Sequence, residues 1–151
     1  MTWKHTQEWL EQCSTMVQYA ATEANPDGLD AAAKWYINRF EQLGFSVQTI
    51  ENKDASYRPL IVAVRPPKNG CETHVGFFHH YDVEPVRKTW DYDPWTLTER
   101  AQRAYGRGMA DNIGPFIQRL LFLEHNPVDV GLVFVVQGEE EIGSPFADII
   151  Y

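Results

Sequence analysis

Three stretches of the sequence collect groups that can hold a cation or move a proton. "VVQGEEEIGSP" (residues 135–145) sets Glu139, Glu140 and Glu141 in a row where an apolar run ends. Adjacent carboxylates repel, so such a run beside a hydrophobic core is costly unless something neutralises it. "HHYD" (79–82) closes a second apolar run. On a strand, residues two apart share a face, which places His80 beside Asp82 and turns His79 and Tyr81 the other way. A carboxylate next to a ligand imidazole holds its tautomer and orientation, as metal sites require. "YGRGMADNIG" (105–114) brings Asp111 to the start of an apolar helical pattern.

Each stretch has a plainer reading when taken alone. A His-x-Asp at a strand end is commonly a satisfied histidine with a solvated aspartate, and a glutamate run is commonly a solvated turn. Gly106 and Gly108 read as a turn and Asp111 as the cap of the next helix. The Gly-x-Gly lacks the third glycine of a dinucleotide fingerprint, and no Walker lysine follows it. Together, however, one histidine, one isolated aspartate and a glutamate pair fall at positions expected on a single sheet edge. Such a set, with few compensating cations, is strained unless a divalent metal neutralises it. Mixed imidazole and carboxylate ligation suits zinc, with manganese or cobalt as alternatives.

The elements that must position these groups follow from periodicity. "TQEWLEQCSTMVQYAAT" spaces Trp9, Leu10, Cys13, Met16, Val17 and Ala20 as a helix face, with Thr6 as its cap. "ANPDG" (24–28) reads as a turn. A second helix then carries Ala32, Trp35, Tyr36, Phe40 and Leu43 on one face and ends at Gly44. These stripes read as core packing rather than as binding surfaces. Strands are expected at 45–50, 59–64, 75–83 and 130–137, with a helix at "GPFIQRLLFLEHN" and a long irregular stretch over 84–112. The run 75–83 is almost continuously apolar until its end and 130–137 is apolar on both faces, as in central strands covered by helices on both sides. Alternating helices and strands make this an α/β sandwich. Its sites are expected beyond the carboxyl ends of the strands.

The chain's 151 residues allow one domain with a real core, and 44% apolar against 23% charged residues marks it as globular rather than disordered. A net charge of −8 favours cations over polyanions and, without any lysine or arginine block, argues against a nucleic-acid partner. Cys13 and Cys71 form no ligand pair; they read as buried fillers in a reducing compartment. The N-terminus has no apolar leader, and no run approaches the roughly 18 apolar residues of a membrane span. The expectation is a soluble cytoplasmic protein with no membrane partner.

"HYDVEP", "WDYDPW", "YGRGMADNIGP" and "GEEEIGS", in this order and at these intervals, resemble the co-catalytic zinc peptidase family. That family includes carnosinase and related dipeptidases, aminoacylase, succinyl-diaminopimelate desuccinylase and glutamate carboxypeptidase. The similarity extends over essentially the whole chain and implies a three-layer α/β sandwich, a mixed sheet with helices on both faces, of the zinc exopeptidase kind. It implies that His80 ligates one zinc and Asp82 orients it. Asp111 would bridge two zinc ions and precede a cis peptide to Asn112. Glu140 would be the general base, Glu141 a ligand of the other zinc, and Glu139 a less essential neighbour. The reaction implied is hydrolysis of the amide bond of a dipeptide or an N-acyl amino acid, by a metal-activated water whose proton passes to a glutamate. "HYDVEP" with "DPW" leans toward the dipeptidases.

Three positions depart from the family's usual pattern: His79 stands where glycine is usual, Ile113 where lysine is common and Gln137 where glutamate is frequent. Length departs further. Residues 1–151 correspond to the N-terminal portion of the family's catalytic domain, without the lid or dimerisation domain and the C-terminal half. A further aspartate and a late histidine would complete the ligand set, so the chain supplies three of five expected ligands plus the base. Two readings follow from the resemblance. The chain is part of a hydrolase completed by a C-terminal polypeptide or a homodimer partner, or it is a non-catalytic relative that serves binding or assembly.

Overall fold

A computed structural model describes residues 4–51 and 58–145. Residues 146–151, the end of "SPFADIIY", lie outside the described residues. Helix α1 spans Thr6–Tyr19 and α2 spans Pro26–Gln42. Strands β1 (Ser46–Ile50), β2 (Leu60–Arg65) and β3 (His74–His80) follow, then a short hairpin of β4 (Thr98–Arg100) and β5 (Arg103–Tyr105). One wide turn at Met109–Ile113 leads into α3 (Gly114–His125), and β6 (Gly131–Gln137) ends in a single 3₁₀ turn at Glu140–Ile142.

The main sheet has the order β1-β2-β6-β3. The β1–β2 and β2–β6 pairs are antiparallel and β3–β6 is parallel, so the sheet is mixed, as expected. The parallel register runs from His74 opposite Gly131 to His80 opposite Gln137. Both polar motifs therefore emerge side by side at the carboxyl ends of neighbouring strands, where α/β sheets build their sites.

Phe134 of β6 anchors the core. It lies against Phe77 at 4.7 Å, Phe40 at 5.1 Å and Phe45 at 5.6 Å between ring centroids. Phe116 of α3 stacks on Tyr36 at 4.3 Å, which ties α2 to α3 over the same sheet face. Alternation along β6 turns Val133 and Val135 the other way. With Val62, Val64 and Phe78 at neighbouring register positions, they form an opposite face that is half-buried or exposed. Among the described residues, the helices thus supply a layer on one face of the sheet.

Several local expectations are corrected. α1 begins without a side-chain cap: His5, not Thr6, holds the capping position, and Ala20 leaves the helix in the left-handed region. "ANPDG" is mostly helix, because Pro26 suits a first helical turn and the Asn25 side chain accepts from Gly28 N at 3.3 Å. The strand expected over 75–83 stops at His80. Among the described residues it is not covered on both faces: β3 stands at the end of the described sheet, with Phe78 51% exposed. Residues 84–112 contain the β4–β5 hairpin, whose three-residue strands are too short for a periodic signal. Cys13 is fully buried, and burial pushes its thiol up to about 12; Cys71 is only half-buried.

Candidate metal centre

β3 delivers His80 to the sheet edge, 6% exposed. Its Nδ1 donates to the Asp82 backbone oxygen at 2.9 Å, so Nε2 is the nitrogen that a metal would take in place of a proton. Nε2 faces Asp111 Oδ1 at 3.1 Å. His80, Glu140 and Glu141 place one ligand atom each within 4.8 Å of one another. Burial alone would lower the His80 pKa, but the Asp82 and Asp111 carboxylates outweigh it and hold the imidazole up at about 9. Glu141 is raised by burial and by its acidic neighbours Asp111, Asp82 and Glu140, with His80 opposing. The site is rich in negative charge, and among the described residues no lysine or arginine pairs with Glu140 or Glu141. One imidazole nitrogen facing three carboxylates is a donor set that fits a divalent ion.

Asp82 lies beside His80 and holds it through backbone and carboxylate together. The His80 ring is held chiefly by the Asp82 backbone oxygen, with the carboxylate farther off at 3.4 Å. That carboxylate, 4% exposed, accepts from Glu140 N at 3.2 Å and Glu141 N at 2.9 Å. It thereby fastens the glutamate turn to the end of β3, a backbone contact with no signal in the sequence.

Asp111 is not a helix cap. Ile113 precedes α3 with no side-chain cap, and the Asp111 side chain, 78% exposed, turns to His80 instead. The Asp111–Asn112 peptide is cis, as the resemblance implied. Gly108 makes the turn possible: its φ is +81, and a Cβ there would fall 2.4 Å from Val83 Cγ1. Arg107 secures the approach, its backbone N–H donating to Pro94 O at 2.7 Å and its guanidinium lying 4.9 Å over the Trp90 ring. "WDYDPW" is therefore a support for the "YGRGMADN" loop. Asp93 closes its own turn by accepting from Trp95 N and Thr96 Oγ1.

Glu139 has a place that the sequence did not reveal. It is 5% exposed and accepts from Arg58 N at 3.1 Å, while Ser144 N donates back to its carbonyl at 2.8 Å. It fastens the residues before β2 to the end of β6. His79 points away from His80, as alternation requires, and stacks on Phe116 at 4.0 Å. Arg119 donates to its Nε2 at 3.1 Å. Burial first, and then the Arg119 charge, push the His79 pKa down to about 4. The two adjacent histidines are thus split into one that favours its charged form and one kept neutral.

Comparison with known proteins gives a consistent result. Residues 76–148 match the family described as peptidase family M20/M25/M40. The cysteinylglycine-S-conjugate dipeptidase of Corynebacterium striatum is 33% identical over 146 residues, covering 89% of this chain and 31% of that protein. The Beta-Ala-His dipeptidase of Rattus norvegicus is 29% identical over 113 residues, covering 70% and 23%. In fold, the chain superposes on human carnosine dipeptidase 1 with a TM-score of 0.86 at 23% identity, over 97% of this chain and 35% of that one. The chain spans about a third of the length of these relatives. No described helix is long and apolar enough to cross a membrane.

Proposed function

We propose, for a chain whose residues 76–148 match peptidase family M20/M25/M40, that it carries part of a zinc-dependent amide hydrolase site acting on dipeptides or N-acyl amino acids. The observation that carries this reading is the convergence of His80, Glu140 and Glu141 within 4.8 Å, with Asp111 against the same imidazole nitrogen. His80 Nε2, Asp111 and Glu141 hold the metal, zinc by preference and manganese or cobalt as substitutes. When bound, the metal supplies Lewis acidity toward a water and an amide carbonyl. Glu140, exposed at the start of the 3₁₀ turn, takes the proton on its carboxylate and returns it to the leaving amine. Asp82 holds the backbone of both glutamates, so ligand and base keep a fixed spacing from His80. A dipeptide is favoured as substrate because the relatives described above are dipeptidases.

These residues alone leave the metal's coordination incomplete, and turnover requires an additional aspartate and histidine from further polypeptide or from a partner chain. The test is zinc content and hydrolysis of Cys-Gly and β-Ala-His by the chain, alone and fused to the C-terminal two thirds of its Corynebacterium relative. The fused form is expected to turn over, and Glu140→Gln to lower its kcat by about 10²–10⁴ while retaining zinc. Full turnover by Glu140→Gln would overturn the assignment of the base. Turnover by the 151 residues alone would overturn the partial-site reading.

A further inference from the structure

We propose that His5, Glu8 and His125 form a second divalent transition-metal site, built from residues that take no part in the first. One ligand atom from each lies within 4.8 Å of the other two. Glu8 Oε2 is shared: it stands 3.5 Å from His5 Nδ1 and 3.0 Å from His125 Nε2. A tetrahedral ion with bonds of about 2.0–2.2 Å separates its ligands by roughly 3.3–3.6 Å, close to both distances from Glu8 Oε2. Two imidazoles and one carboxylate are the set that zinc takes when a fourth position stays open.

The His5 and His125 rings stack face to face at 3.7 Å, with 9° between their planes. The stack joins the residue before α1 to the last residue of α3 and brings both imidazoles to the same carboxylate. Imidazole lone pairs lie in the ring planes, so both rings must turn out of the stack about Cβ–Cγ to aim at one ion, which their positions at helix ends permit. The side chains are 17%, 37% and 30% exposed, so an ion can reach them from solvent.

The surroundings favour a cation. α3 ends at His125, where the last carbonyls present negative charge, and Glu8 offsets the positive end of α1. Glu124 adds a second carboxylate 3.9 Å from His125 Nε2, itself held by Arg39. The site would act as a staple. Trp9 Nε1 already donates to Gly114 O at 2.9 Å, fixing α1 to the start of α3, and the ion would fix α1 to its end.

The experiment uses the chain with His80→Ala and Glu141→Ala, which remove ligands of the first centre, so its outcome does not depend on the hydrolase reading. Zinc is titrated by calorimetry and thermal unfolding is followed with and without zinc. Expected is uptake of about one equivalent with a raised unfolding midpoint, since zinc at 100 times its Kd raises the folding constant about hundredfold. Adding His125→Ala or Glu8→Gln should weaken binding at least tenfold and cut the midpoint shift to about half or less. On the unaltered chain, zinc should also shift the His5 and His125 ring resonances, a readout that needs no variant to fold. No zinc uptake by the silenced chain, uptake indifferent to both added substitutions, or unmoved ring resonances would overturn the site.

Discussion

Replacing Asp82 by asparagine removes one charge and almost no volume, yet it reaches both halves of the metal centre. The carboxylate accepts from Glu140 N at 3.2 Å and Glu141 N at 2.9 Å, and His80 Nδ1 stands 3.4 Å away. Asparagine keeps one acceptor oxygen, so one backbone N–H stays bonded and the other meets an amide NH₂. A hydrogen bond to a charged acceptor contributes about 1.5–3 kcal/mol, and an N–H left buried without a partner costs about 1–3 kcal/mol. These describe overlapping losses, so the expected destabilisation is about 2–4 kcal/mol. Asp82→Ala, which frees both N–H groups beside a buried imidazole, should cost about 3–5 kcal/mol. Urea denaturation with a constant m-value measures both. At about 2–4 °C per kcal/mol for a chain of this size, Asp82→Asn should lower the melting temperature by roughly 4–16 °C. A loss of less than about 0.5 kcal/mol in both variants, the range of an unimportant surface change, would refute the idea that Asp82 fastens the glutamate turn.

Other perturbations test the supports and the charges. Gly138→Ala would set a Cβ 2.2 Å from the Tyr81 ring, whose hydroxyl donates to Pro59 O, so overpacking should cost about 1–3 kcal/mol in the same denaturation assay; an unchanged midpoint would contradict this. Phe134→Ala removes the ring shared by Phe40, Phe45 and Phe77 and should cost about 3–5 kcal/mol. In the metal-free chain, NMR titration of the ring protons should separate the adjacent histidines, with His80 near 9 and His79 near 4; two midpoints near 6.5 would contradict the geometry. The signs are opposite. His80 contributes stability fully below 6.5 and loses it as pH rises through 9, whereas the His79 contribution is intact above 6.5 and is lost as pH falls toward 4.

The legible parts of the sequence were those in which a local pattern carries a long-range consequence. The apolar runs ending in "HHYD" and "GEEE" marked two strand ends, and the parallel pairing of His80 with Gln137 brings those ends together. His80, Glu140 and Glu141 could therefore be grouped before any coordinates, and Asp111 beside them, through the resemblance. Contacts between segments distant in the chain were not legible. Arg58 donates to Glu139 across 81 positions and Glu141 to Asp82 across 59, and neither pairing leaves a periodic trace. Strand alternation sets His80 beside Asp82 but carries no trace of the Asp82 contacts to the glutamate turn, and an apolar run looks the same at the end of the described sheet as at its centre. Asp111 resembled a cap because the sequence before α3 has the composition of one, while the backbone turns its side chain elsewhere.

The most direct measurement is zinc K-edge X-ray absorption on the chain carrying His125→Ala, so that only the first centre can report. A centre built on His80, Asp111 and Glu141 requires a single imidazole together with oxygen neighbours at about 2.0–2.2 Å, and loss of that signal on His80→Ala. Two imidazoles in the first shell, or a spectrum unchanged by His80→Ala, would contradict it.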